Sequence, residues 1–109
     1  MTLTKELIFG KKLKVVKVSV PEWGGDVYVR ELTAKEHDDI NEAVRKGKSI
    51  TNPDLAMMVI CDENQMPLFT EKDRTQLELV SGNALSRILT ASAKLSGADD
   101  GTIKELEKN

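Results

Sequence analysis

The chain has 109 residues, room for one domain around one hydrophobic core. Hydrophobic residues make up 39% and charged residues 31%, which is polar but excludes an intrinsically disordered chain. With 16 basic and 18 acidic residues the net charge is -2, so no large positive field exists to hold nucleic acid or an anionic membrane.

Met1 to Glu6 carry no basic region followed by a long apolar stretch, so no secretory signal is expected. The longest apolar run, Leu55 to Cys61, falls far short of the roughly 20 residues that span a bilayer. Both point to a cytoplasmic protein. Leu7, Ile8 and Phe9 fit either a short strand or a flexible arm. Leu13 to Val20 is read as a strand, because Val16, Val18 and Val20 alternate with Lys17 and Ser19. Asp26 to Leu32 is read as a second strand, with Val27 and Val29 on one face and Tyr28 and Arg30 on the other. Between them, Pro21, Gly24 and Gly25 mark a tight reversal, so the two strands should pair as an antiparallel hairpin.

After Leu32 the period changes to that of a helix. Thr33-Ala34-Lys35-Glu36 fits a capping box, and a helix is expected over 34–45 with His37, Ile40, Ala43 and Val44 facing the core. Gly47 stops it. Asn52 is the expected cap of the next helix, with Pro53 at its first position. That helix, over 54–61, is apolar all round and should lie at the centre of the core; a buried strand over 57–61 fits the same residues. A polar turn, Asp62 to Pro67, leads to Leu68 and Phe69. Thr70 to Asp73 opens a capped helix over 71–80, with Leu77 and Val80 inward. After Ser81-Gly82-Asn83 a last helix over 83–95 carries Leu85, Ile88, Leu89 and Leu95 on one stripe. The domain is expected to span 1–96, with 97–109 a flexible, charged tail.

Groups for bond chemistry are sparse. His37 lies beside Asp38 and Asp39, but adjacent helical residues do not face one another, so no His–Asp relay is ready. Cys61 sits in an apolar run and reads as a small buried hydrophobe rather than a nucleophile. One histidine and one cysteine fall short of the four ligands of structural zinc, and Asp62-Glu63-Asn64 lacks the glycine of a calcium loop, so no metal or cofactor is expected. Gly24-Gly25 is too short for a phosphate cradle. Lys11, Lys12, Lys14 and Lys17 read as a solvated strand face rather than a nucleic-acid site. Trp23, alone of its kind and at the hairpin tip, fits either an interface anchor or a side chain folded back onto the core. The hairpin's free edges also invite strand addition.

The segment from Val20 to Ala34, with its Trp23-Gly24-Gly25 turn, Val29-Arg30-Glu31-Leu32 and a capped helix, resembles the opening of tail assembly chaperones of long-tailed bacteriophages. The second half is similar too: an apolar stretch, Cys61-Asp62-Glu63, a polar turn, Pro67-Leu68-Phe69-Thr70, a charged helix with Asp73 and a helix with Ala84, Leu85 and Leu89. One departure is Asn64-Gln65, where such proteins often have Asp-Gly or Asn-Gly.

The elements read in chain order make an α+β fold: an N-terminal antiparallel hairpin or small sheet, then a compact bundle of about four helices. The resemblance implies a non-catalytic protein that binds the tape measure protein, keeps it soluble and helps recruit the major tail tube protein. Such proteins work in the host cytoplasm and leave before the virion is finished. Many also have a longer form, made by ribosomal frameshifting, whose extra domain would hang from 96–109. Trp23, Gly24, Tyr28 and Arg30 are the candidate protein-binding residues, and a homo-oligomer is possible. Neither nucleic acid nor membrane is an expected partner. Rival readings are another phage structural or adaptor protein that forms oligomeric rings, a small enzyme using Cys61 or His37, and a nucleic-acid binder using Lys11 to Lys17.

Overall fold

The computed structural model describes residues 2–97. Its elements run α1 (Lys5–Phe9), β1 (Val15–Val20), a 3-10 turn (Pro21–Trp23), β2 (Gly25–Arg30), α2 (Ala34–Arg45), α3 (Asn52–Val59), β3 (Ile60–Cys61), a second 3-10 turn (Glu71–Asp73), α4 (Arg74–Leu77) and α5 (Gly82–Leu95). The tail expected over 97–109 lies, apart from Gly97, outside the described residues.

The hairpin forms as its valines dictate. Val16 faces Val29, Val18 faces Val27 and Val20 closes the ladder against Gly25. These valines share one face of the pleat, and α5 packs across both strands. The sheet has the order β1-β2-β3, antiparallel throughout. Val20, Val29, Ile60, Ala56, Leu77, Ala84, Leu85 and Ile88 form the core between sheet, α3 and α5. This is the expected α+β architecture, with a third strand added.

The third strand corrects the helix expected over 54–61. That helix stops at Val59, and Ile60–Cys61 cross instead to β2, pairing Val29 with Ile60 and Tyr28 with Cys61. Val59 and Ile60, β-branched in succession, suit this change, since such side chains lose freedom in a helix and pack well on a sheet. The α3 cap is Thr51, not Asn52: its hydroxyl accepts from the Asp54 amide, and the Asp54 carboxylate accepts from the Thr51 amide. A reciprocal box closes two free donors where an asparagine cap would close one.

Three further expectations change. Leu7 to Phe9 form neither strand nor loose arm but the end of α1, which Thr4 caps. The helix expected over 71–80 is a 3-10 turn followed by the single turn α4, and Leu79 beyond it points to solvent. Finally, α2 runs over the expected residues and keeps its Thr33–Glu36 capping box, but none of its residues is buried. Ile40 and Ala43 are half-buried, whereas His37 and Val44 are exposed. The inward stripe passes through Glu36, Ile40 and Ala43, and Glu36 is held there by an ion pair with Arg30.

The turn after β3 accommodates its unusual residue. Gln65 has a φ of 68°, the left-handed region that favours glycine or asparagine. Its side-chain amide donates to the Leu13 carbonyl at 2.9 Å. That bond ties the turn to the start of the hairpin, which glycine could not do.

A candidate partner-binding surface

The surface begins at the hairpin turn. Pro21 starts the 3-10 turn and Gly24 ends it with a φ of 74°, a conformation that glycine reaches without steric cost. This reversal sets the Trp23 indole against Phe69, Leu77 and Val80, and the four line an open apolar cleft of about 320 Å³. Asp73 and Gln76 supply its polar rim. Trp23 stays 37% exposed. It therefore leans on the core margin and remains at the surface, combining the two readings its position allowed. Gly24 is exposed, and a Cβ there would meet no atom within 4 Å; its contribution is conformational. Within the turn, the Glu22 carboxylate accepts from both terminal nitrogens of Arg87 on α5, at 2.9 and 2.6 Å. This pairing holds the Glu22 carboxyl below the usual range and locks the turn onto α5.

Tyr28 and Arg30 lie on the opposite face of the sheet from the core valines. Tyr28 is half-buried, with the Lys17 ammonium 5.8 Å from its ring centre, within reach of a cation–π attraction. Arg30 is drawn inward, its side chain only 11% exposed. One terminal nitrogen donates to Glu36 and to the Glu31 carbonyl; the other donates to Glu36 at 2.8 Å and to the Met58 carbonyl at 2.6 Å. The guanidinium holds the Glu36 carboxyl below its ordinary value despite partial burial, and Glu36 in turn raises Arg30. The pair joins β2, α2 and α3 at one point.

Sequence reasoning missed the groups that support this arrangement. Ser92 is buried on α5 and donates to the Arg30 carbonyl at 2.7 Å, while Ser96 accepts from the Leu32 amide at 3.1 Å. Small polar residues on a helix face carry no sequence signal for such a role. Phe69, Leu77 and Val80 were visible as inward residues, but nothing in the sequence placed them beside Trp23. Leu3, Leu7, Ile8 and Phe9 add a further exposed apolar stretch around α1. Cys61 is buried, and burial pushes its thiol up, with Arg30 pulling weakly the other way. Among the described residues, no group of three or more His, Cys, Asp or Glu could hold a metal ion, and no helix is long and apolar enough to cross a membrane.

The family model for phage tail assembly chaperones matches residues 5–109. The chain belongs to the phage tail assembly chaperone family. A solved structure agrees: the tail assembly chaperone of bacteriophage HK97 is similar at 27% sequence identity and a TM-score of 0.63, covering 88% of this chain and 95% of that one. No functionally curated protein matches. Open apolar clefts on well-packed scaffolds are, in general, candidate surfaces for protein contact.

Proposed function

We propose that this chaperone binds the phage tape measure protein through the Trp23 cleft, keeps that protein soluble and helps recruit tail tube subunits around it. The observation that carries the reading is the cleft itself: Trp23, Phe69, Leu77 and Val80 held open at the surface by a glycine-dependent turn. An aromatic wall lined by aliphatic side chains suits the apolar stripe of a long helix, whose anchors recur every three to four residues. Asp73 at the rim suits a basic residue beside such an anchor. In this reading Trp23 is the anchor and Gly24 sets its angle. Tyr28, with Lys17 above it, is a second contact surface, and Arg30 acts by positioning α2 and the end of β2. The work is done by surface contact in the host cytoplasm, without bond chemistry, and the chaperone leaves before the virion is complete.

Co-expression with the tape measure protein of the same phage tests this. The wild-type chain should keep that protein in the supernatant. Trp23→Asp, folded by circular dichroism, should leave most of it in the pellet, while Lys48→Glu on an exposed loop should behave as wild type. Equal solubilisation by Trp23→Asp would contradict the reading, as would closed rings of the chaperone with no effect on solubility.

A further inference from the structure

The two edges of the sheet are unlike. Beyond β3 the chain turns back on itself, with Cys61 bridging Pro67 and the Leu68 amide donating to the Ile60 carbonyl at 3.2 Å. That edge is covered. β1 lies at the other end of the strand order, and among the described residues no strand lies outside it. The Glu31 amide donates to the Lys14 carbonyl at 2.9 Å. Ladder bonding alternates along an antiparallel strand, so Val16, Val18 and Val20 bond inward to β2. The backbone groups of Val15, Lys17 and Ser19 point outward.

A groove runs along this open edge. It holds about 460 Å³ and is lined by Val18 of β1 and by Ser86, Arg87, Thr90, Ala91 and Lys94 of α5. No β2 residue lines it, so it lies on the outer side of β1, where α5 overhangs the sheet. This is where one face of a fourth strand would set its side chains. The charged side chain within β1 itself is a cation, Lys17, and in sequence residues 1–20 hold Lys5, Lys11, Lys12, Lys14 and Lys17 against the single acid Glu6, while the whole chain carries -2. Lys94 adds a cation at the groove, where Arg87 is already engaged by Glu22. Pairing of two β1 edges centred on Lys17 would set like charges opposite each other, which destabilises a ladder.

We infer that the outer edge of β1 is a second docking site, separate from the Trp23 cleft, which takes an extended acidic segment of a partner protein as a fourth antiparallel or parallel strand. Its apolar side chains lie in the groove over Val18 and Ala91. Its carboxylates face Lys17 on the opposite side of the sheet.

The test uses the full chain, labelled with ¹⁵N, and three blocked ten-residue peptides. One alternates valine and glutamate; one replaces glutamate by lysine; one is the glutamate peptide N-methylated on alternate backbone nitrogens. The glutamate peptide should slow hydrogen exchange at the Val15, Lys17 and Ser19 amides at least tenfold and leave the Trp23 signals in place. The lysine and N-methylated peptides should give no such protection. Lys17→Glu should weaken the glutamate peptide about fivefold, the scale of one reversed rim charge. Three results would overturn the inference: equal binding of the N-methylated peptide, absence of edge protection at saturation, or protection that rises with chaperone concentration without peptide, which would assign the edge to a second copy.

Discussion

The guanidinium of Arg30 makes four hydrogen bonds to three parts of the chain: Glu36, the Glu31 carbonyl and the Met58 carbonyl. Removing it leaves a partly buried carboxylate and two carbonyls without their donor. Arg30→Ala is therefore expected to cost about 2–3 kcal/mol, between the values for exposed and fully buried pairs, as urea unfolding would show. The same pair fixes a pH dependence. The folded-state pKa of Glu36 lies below its value of 4.5 in the unfolded chain. Its contribution is thus complete above pH 4.5 and is lost as pH falls below that, because the unfolded chain then binds the proton first. Thermal melts should show the wild type losing stability below pH 4.5 more steeply than an Arg30→Met variant, whose Glu36 has no cation to hold its proton off. Asp54 adds to the same acid limb: burial works to raise its carboxyl, but the Thr51 amide and Arg74 outweigh that and lower it. At this scale the sequence was only partly legible. Arg30 alternates with Val29 and so had to leave the core face, but alternation does not say whether that side chain meets solvent or a carboxylate six residues away.

The hairpin, α2 and α5 are the elements whose sequence patterns were strong, and they form near the expected positions. Valine alternation, the Thr33 capping box and the leucine–isoleucine stripe of α5 each carry their own local cause. The misread elements are those that tertiary contact decides. At Ile60–Cys61, where helix and buried strand both fitted the residues, no turn signal marks the change, and the open side of β2 captures them as a strand. Residues 78–80 lack a helix stop, yet α4 ends at Leu77 because Leu77 and Val80 must both reach the core margin while Leu79 does not. The turn that presents Trp23 is an element in the same sense, and it depends on one backbone angle. Gly24→Ala forces a Cβ into the left-handed region at a φ of 74°. The space is open, so the cost is conformational, about 1–2 kcal/mol. A thermal melt should show that loss, and partner binding should weaken as Trp23 is displaced. An unchanged melt would mean that the turn tolerates a side chain there.

At the scale of the whole molecule, the scaffold and the Trp23 cleft meet at one margin, where Leu77 belongs to both the core and the cleft wall. The core of Val20, Val29, Ile60, Leu85 and Ile88 holds the sheet against α5. Most of the large exposed apolar residues sit elsewhere, at and before α1, at Trp23 and along residues 66–79, with Val16 and Val44 apart from them. Burial of the core stabilises the fold, and the exposed residues remain available for another protein. The candidate site was legible in the sequence as a single tryptophan at a turn. Its other walls come from residues 69–80, over forty positions away, and only the packing of that segment beside the hairpin brings them together.

Trp23 is the sole tryptophan of the chain, so one label reports on the cleft directly. The chaperone carrying 5-fluorotryptophan should give one ¹⁹F line, and titration with the tape measure protein of the same phage should shift it while solvent-induced shifts in D₂O shrink. That would place the partner against the indole. A line unmoved at saturating partner, with binding shown independently, would mean that the tape measure protein docks elsewhere and that the cleft is not its site.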